Sequence, residues 1–176
     1  FFKYFIILIP IALIIGPAPT DTITSLLAFY IVIRSIYYKD FSYFNNIYFK
    51  IIIIFCIYLI INSLISDYTM LSLESSLFYV RFILYSIALA YFFDKYETIF
   101  NLFFISIIFC VIFVSLDGFF QYIFGINFFG FTSMHNGRIS GVFRDELILG
   151  SFISRLVPLC FFYISLKYNN SKLLGK

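Results

Sequence analysis

Apolar residues run continuously through most of this chain instead of alternating with polar ones. The runs extend approximately from Phe2 to Ile15, Thr22 to Tyr37, Ile47 to Ser66, Leu73 to Phe93, Thr98 to Leu116 and Leu147 to Leu166, with short polar segments between them. A membrane-crossing helix needs about 20 predominantly apolar residues, within a range near 17–25. In lipid the backbone must satisfy its own hydrogen bonds, and unbroken apolar runs do so as helices, whereas barrel strands alternate in polarity. The pattern therefore predicts an all-α, polytopic transmembrane helix bundle with about six spans in a single membrane domain, residues 1–176. The second span is the weakest by length. Residues 117–146 remain as a long connection before the last span.

Composition strengthens that reading. The chain has 176 residues, of which 62% are hydrophobic and only 12% charged, against roughly 45–50% and about 25% in ordinary soluble domains. A water-soluble domain of this length has no core large enough for so much apolar surface. The formal charge of +3 does not indicate a nucleic-acid binder, because the basic residues are spaced between apolar runs rather than gathered on one stripe. Cys56, Cys110 and Cys160 lie inside apolar runs without CxxC or Cys/His spacing, so they read as small packing residues, with no metal site expected.

Basic residues report topology, since loops rich in Lys and Arg stay in the cytoplasm. Lys3, Arg34, Lys39, Lys50, Lys95, Lys167, Lys172 and Lys176 all fall on one side if the first helix starts inside. The opposite loops, GPAPTD and SDYTMLSLE, have no basic residue. The third outer segment breaks the rule with Arg138 and Arg144. It also collects Gly118, Gly125, Gly130, Gly137, Gly141 and Gly150, and aromatics from Phe119 to Phe131. A long connection of this kind is usually functional or disordered, and its aromatic content argues for a shaped loop at the membrane interface.

Chemistry is sought among the charged and polar residues of that segment and of the spans. Arg138, in GRISGVF, offers a planar fork of donors that matches phosphate oxygens and stays charged at any physiological pH; the bland alternative is an arginine reaching toward lipid headgroups. Asp145 and Glu146 read as caps for the last helix, with Arg144 either neutralising them or binding substrate. Arg155 falls nine residues beyond Glu146, about 13 Å further along a helix and inside the bilayer. Ser151, Ser154, Arg155 and Pro158 share one helix face there. An intramembrane arginine costs at least about 2.5–3.5 kcal/mol, so it should meet a cavity or a partner. Arg81 raises the same expectation, with Glu74 as a possible contact two turns earlier. Asp117 and Gln121, at i and i+4, are placed either to bind sugar hydroxyls or simply to end a helix at the interface. His135 is a candidate general base, although a histidine without a visible orienting partner is more often a polar loop residue. P-loop, GxGxxG, GxSxG and HExxH motifs are absent, and no cofactor is expected.

LDGFFQYIFGINFFGF, followed by GRISGVFRDELILGSFISRLVPL, resembles the membrane region of the bacterial O-antigen ligase and O-antigen polymerase family, and FYVRFILYSIALAYFF fits its preceding helix. Most of the chain matches in hydropathy, but only about Asp117 to Leu159 is motif-like. The resemblance implies a metal-independent glycosyltransferase of the bacterial inner membrane, with a cytoplasmic N-terminus and a periplasmic active face. Its implied donor is an undecaprenyl-diphosphate-linked glycan, and its acceptor lipid A-core or a growing glycan. Surrounding membrane lipids, but no nucleic acid, complete its expected partners. Of the site residues it carries over Arg138 alone, as the catalytic cation; Arg144, Arg155, Arg81, Gln121 and Asp117 join it as substrate-binding candidates read from the residues themselves. The chain reads as an N-terminal to central fragment, with the catalytic base expected further downstream. A transporter or flippase for a polyprenyl-linked or anionic solute is the alternative reading.

Overall fold

The computed structural model describes residues 2–132, 138–144 and 146–174. The described chain carries the helices α1 (Phe5–Ile15), α2 (Pro17–Tyr38), α3 (Ile47–Ile65), α4 (Thr69–Lys95), α5 (Glu97–Phe124) and α6 (Leu149–Leu174). Short 3-10 turns occupy Phe2–Tyr4, Ser42–Asn45 and Gly141–Phe143. Among the described residues the only strand-like pairing is an isolated antiparallel bridge between Ile126 and Thr132. The protein is all-helical, as its unbroken apolar runs require.

Four helices are long and apolar enough to cross a membrane: α3, α4, α5, and α6 as far as Asn169. The expectation of about six spans falls short at the N-terminal end. The apolar stretch Phe2–Ile15 is short, and at 1.5 Å per residue reaches only about 20 Å against a hydrocarbon core of about 30 Å. Helix α2 has the length, at 22 residues, but Pro17, Pro19, Asp21, several threonines and Arg34 dilute its apolar content. The other difference lies in α5, which continues past Leu116 to Phe124. The connection expected from residue 117 begins only at Gly125.

The chain separates into two compact units, Phe1–Ile9 with Pro17–Phe100, and Pro10–Gly16 with Asn101–Lys176. In the first, Asp21 meets Arg81 and Arg34 meets Tyr91, so α2 and α4 run parallel. Buried Leu27 and Ile31 of α2, and Ile83, Ile87 and Ala88 of α4, belong to the core of this unit. Helix α3 runs antiparallel to α4, joined by hydroxyls: Ser63 Oγ lies 3.0 Å from Ser76 Oγ and donates to the Ser72 carbonyl at 3.1 Å. Small polar side chains let helices approach closely while their hydroxyls find carbonyl partners. Asn46 caps the start of α3, its Oδ1 accepting the Tyr48 amide at 3.2 Å, a contact typically worth ~1 kcal/mol.

Two sequence expectations about the first unit can be judged directly. The basic residues Lys3, Arg34 and Lys95 do gather at one end, around Tyr91 and Tyr96. Arg81, in contrast, pairs with Asp21 at 2.9 Å rather than with Glu74. Seven residues on one helix is a long reach for a direct ion pair, whereas parallel packing brings Asp21 of α2 alongside.

In the second unit α5 and α6 meet through Phe104, whose ring stacks on Tyr163 at 5.1 Å, while the Tyr163 hydroxyl donates to Asn101 Oδ1 at 3.0 Å. The buried face of α5 is a single stripe of Phe104, Ile107, Cys110, Val114, Asp117 and Gln121. Spacings of three and four keep all of them on one side of the helix. The stripe is apolar for three turns and then becomes polar, and this change of character creates the candidate site.

Candidate functional site

Asp117 and Gln121 close the buried stripe of α5, and the connecting segment folds back over both. Gln121 is 3% exposed. Its Oε1 accepts two adjacent amides, Ser140 N at 3.0 Å and Gly141 N at 2.8 Å, and its Nε2 donates to the Phe131 carbonyl at 3.3 Å. One amide side chain thus ties residues 131 and 140–141 to the end of the helix. Asp117 is fully buried, and its Oδ1 accepts the Phe128 amide at 2.8 Å.

Asn127 is the third member of this clamp. It is 1% exposed, its Oδ1 accepts the amides of Phe129 and Phe131 at 3.0 and 2.8 Å, and its Nδ2 donates to the Gly141 carbonyl at 2.9 Å. The Gly130 amide closes the turn on the Asn127 carbonyl at 3.0 Å. Sequence reasoning passed over Asn127, although the signal was present. Asn at the first and Gly at the fourth position of NFFG are the residues that favour a turn, since an Asn side chain bonds the backbone two residues on.

Gly141 sits in a crowded, positive-φ position. Its φ is +57°, and a Cβ there would lie 2.7 Å from Leu149 Cδ1 and 3.1 Å from Asp117 Oδ2. Gly118 is similarly close, a Cβ there meeting Leu149 Cδ1 at 2.9 Å. These two glycines let the 3-10 turn lie directly against α5 and the start of α6. Aromatic rings seal the outer side: Phe120 lies 4.7 Å from Phe128 and 4.4 Å from Phe124, and Phe143 lies 5.2 Å from Phe152. Two buried oxygens, Asp117 Oδ2 and Ser140 Oγ, find no hydrogen-bond partner among the described residues.

Most of the candidates can be placed on this frame. Arg138 is exposed, two residues before the amides that Gln121 holds. Arg144 is also exposed, in a left-handed conformation at φ +53°, with its guanidinium 4.7 Å above the Phe131 ring. Asp117 and Gln121 do not present free polar heads for sugar hydroxyls. They are buried, and the hydrogen bonds they make, through Asp117 Oδ1 and both ends of the Gln121 amide, go to loop backbone, so their part is to position. Glu146 does not cap α6: the helix starts at Leu149, and the Glu146 amide instead closes on the Phe143 carbonyl at 3.0 Å. Asp145 and His135 lie outside the described residues.

The polar face expected on α6 is present, but its hydroxyls turn onto their own helix. Ser151 Oγ donates to the Ile148 carbonyl at 2.9 Å and Ser154 Oγ to the Ser151 carbonyl at 3.1 Å. Arg155 is exposed on that helix. Arg81 belongs to the first unit, where Asp21 answers its charge and its guanidinium lies 4.8 Å above the Phe82 ring. Beside it is an open groove of ≈ 490 Å³ that includes Glu74 and Ser75.

What the arrangement can do chemically follows from its rigidity. Three buried side chains hold the backbone around residues 127–131 and 140–141, so Arg138 and Arg144 flank a fixed turn rather than a free tether. Fixed cations of this kind suit an anionic group such as a phosphate ester, which a guanidinium binds through paired N–H donors. No protein-family model, curated protein or solved structure matches this chain.

Proposed function

We propose that this chain is the N-terminal to central part of an O-antigen ligase-like glycosyltransferase. It transfers a glycan from undecaprenyl diphosphate to lipid A-core or to a growing polysaccharide, on the periplasmic side of the bacterial inner membrane. The observation that carries the reading is the clamped turn: Gln121 binds the Ser140 and Gly141 amides directly beside exposed Arg138, within the sequence stretch that bears the resemblance.

The physical logic is one of leaving-group charge. As the sugar departs, negative charge accumulates on the lipid diphosphate, and a preorganised guanidinium stabilises it without having to reorganise at that moment. Arg138 takes this role, Arg144 supports it from the other side of the turn, and Arg155 is available on the helix that follows. Asp117, Gln121 and Asn127 act through the loop, as positioning residues. Arg81, already paired with Asp21, is assigned to holding α2 on α4. A base from outside this stretch takes the proton of the acceptor hydroxyl, as attack on the sugar requires.

Topology supports the same reading. Lys50 stands in the first turn of α3 and Lys95 in the last turn of α4, and the excess of basic residues in cytoplasmic loops favours that side for both. If α5 crosses, the turn bearing Arg138 emerges on the opposite, periplasmic side.

The test is Arg138→Ala in the full-length gene. Long-chain lipopolysaccharide or the corresponding surface polysaccharide should vanish from a gel while protein level stays normal. Loss of one preorganised donor typically lowers turnover about 10²–10³-fold. An unchanged ladder rejects the assignment. Movement of labelled polyprenyl-linked lipid across vesicles without glycosyl transfer would point instead to a flippase.

A further inference from the structure

We infer that the basic end of the first unit holds the phosphate of an anionic membrane phospholipid between Lys3 and Lys95. The inference concerns this unit alone and stands whether or not the glycosyltransferase reading holds. Lys3, on the N-terminal 3-10 turn, and Lys95, at the end of α4, both approach Tyr96. Their ammonium groups lie 4.7 and 5.7 Å from the centre of that one ring. Lys95 is anchored further by donating to the Tyr91 hydroxyl at 3.1 Å, and Lys3 also lies 5.2 Å from the centre of the Tyr4 ring. Residues from separate segments thus bring two ammonium groups to one aromatic ring.

No ion pair answers their charge among the described residues. The ion pairs among the described residues are Arg34 with Asp40 and Arg81 with Asp21. Asp94, next to Lys95 in sequence, interacts with Tyr43 instead. Arg34, 4.1 Å from the centre of the Tyr91 ring, is ion-paired with Asp40 at 3.0 Å. Four lysines of this unit, Lys3, Lys39, Lys50 and Lys95, carry no ion pair among the described residues, and of these Lys3 and Lys95 share one ring; two ammonium groups so placed, without an ion-paired carboxylate, favour an anion.

The surroundings indicate a lipid rather than a dissolved anion. Phe2, Tyr4, Tyr37, Tyr38 and Phe41 are exposed large rings at the same end. Aromatic rings with one apolar and one wet side sit at the headgroup level of a bilayer, where cytoplasmic-leaflet lipids carry negative charge. A phosphodiester there meets the ammonium groups while its acyl chains run along apolar helix surface.

The experiment uses the purified full chain in phosphatidylcholine nanodiscs with and without phosphatidylglycerol, with retained lipid counted by native mass spectrometry. Wild type should keep phosphatidylglycerol in preference to phosphatidylcholine. Lys3→Gln with Lys95→Gln should weaken that retention about fivefold for each lysine removed. Lys39→Gln with Lys50→Gln, an equal change of charge, should leave it near wild type, and the Lys3→Arg, Lys95→Arg pair should restore it in protein that elutes like wild type. Unchanged retention in the Lys3/Lys95 variant, equal weakening in both glutamine pairs, or displacement of the lipid by inorganic phosphate would each overturn the site.

Discussion

At the residue scale the protein depends on a few side chains that hold backbone rather than face solvent. Gln121 is the clearest, since its loss would strand the buried Ser140 and Gly141 amides that it now accepts. A buried amide without a partner costs about 1–3 kcal/mol. Gln121→Leu should therefore open the turn to protease around residues 138–144 while α5 and α6 persist by circular dichroism, and a cleavage pattern like wild type would show that the turn is held by something else. Gly141 permits a sharper comparison. Gly125 and Gly141 both have positive φ, at +75° and +57°, but a Cβ at Gly125 meets open space whereas one at Gly141 meets Leu149 and Asp117. Both alanine variants bear the left-handed backbone cost of roughly 1–2 kcal/mol, so their difference isolates packing. Gly141→Ala should melt lower than Gly125→Ala in a thermal-shift assay, and equal melting would mean that Leu149 moves aside freely.

At the element scale the main question is what joins helices whose surfaces are apolar all round. Lipid is as apolar as the side chains it replaces, so burial alone provides little drive for helix association. Polar ties take that part in the first unit: the Ser63 and Ser76 hydroxyls and the Ser72 carbonyl between α3 and α4, and the Asp21–Arg81 pair between α2 and α4. Arg81 lies 14 residues before Lys95, about 21 Å along α4 from its basic end, which puts the pair well away from that end. The coupling between Asp21 and Arg81 should be about 1 kcal/mol in a double-mutant cycle of Asp21→Ala and Arg81→Leu, read by thermal unfolding in detergent. Strict additivity of the two single losses would mean that the pair contributes no tie. Arg34 and Asp40 mark the other end, where the Ser42 hydroxyl and amide, and then the Arg34 guanidinium, hold Asp40 below the usual carboxylate range.

At the scale of the whole molecule the function proposed here stands on which side of the membrane the clamped turn occupies. Cysteine introduced at position 138 should react with a membrane-impermeant maleimide added to spheroplasts, and cysteine at position 39 only after lysis. Reaction at both positions only after lysis would remove the periplasmic diphosphate site, whatever the geometry of the turn. The spans themselves behave as local hydropathy would have it, except at the N-terminal end, where the first run is too short and α2 too polar to meet the demands of a bilayer alone.

Hydropathy is a property of neighbouring residues, and so helix content, membrane character and the gathering of Lys3, Arg34 and Lys95 at one end were all legible along the chain. Pairing is not such a property. Asp21 meeting Arg81, Gln121 meeting Ser140 and Gly141, and Lys3 meeting Tyr96 depend on the register at which distant segments come together. Asp117 and Gln121 show the difference most clearly: their i, i+4 spacing put them on one face of a helix, but only the folded loop determined that this face is covered, with Asp117 Oδ1 and the Gln121 amide bonded to loop backbone. Spacing dictates which side chains share a surface, and long-range packing decides what that surface touches.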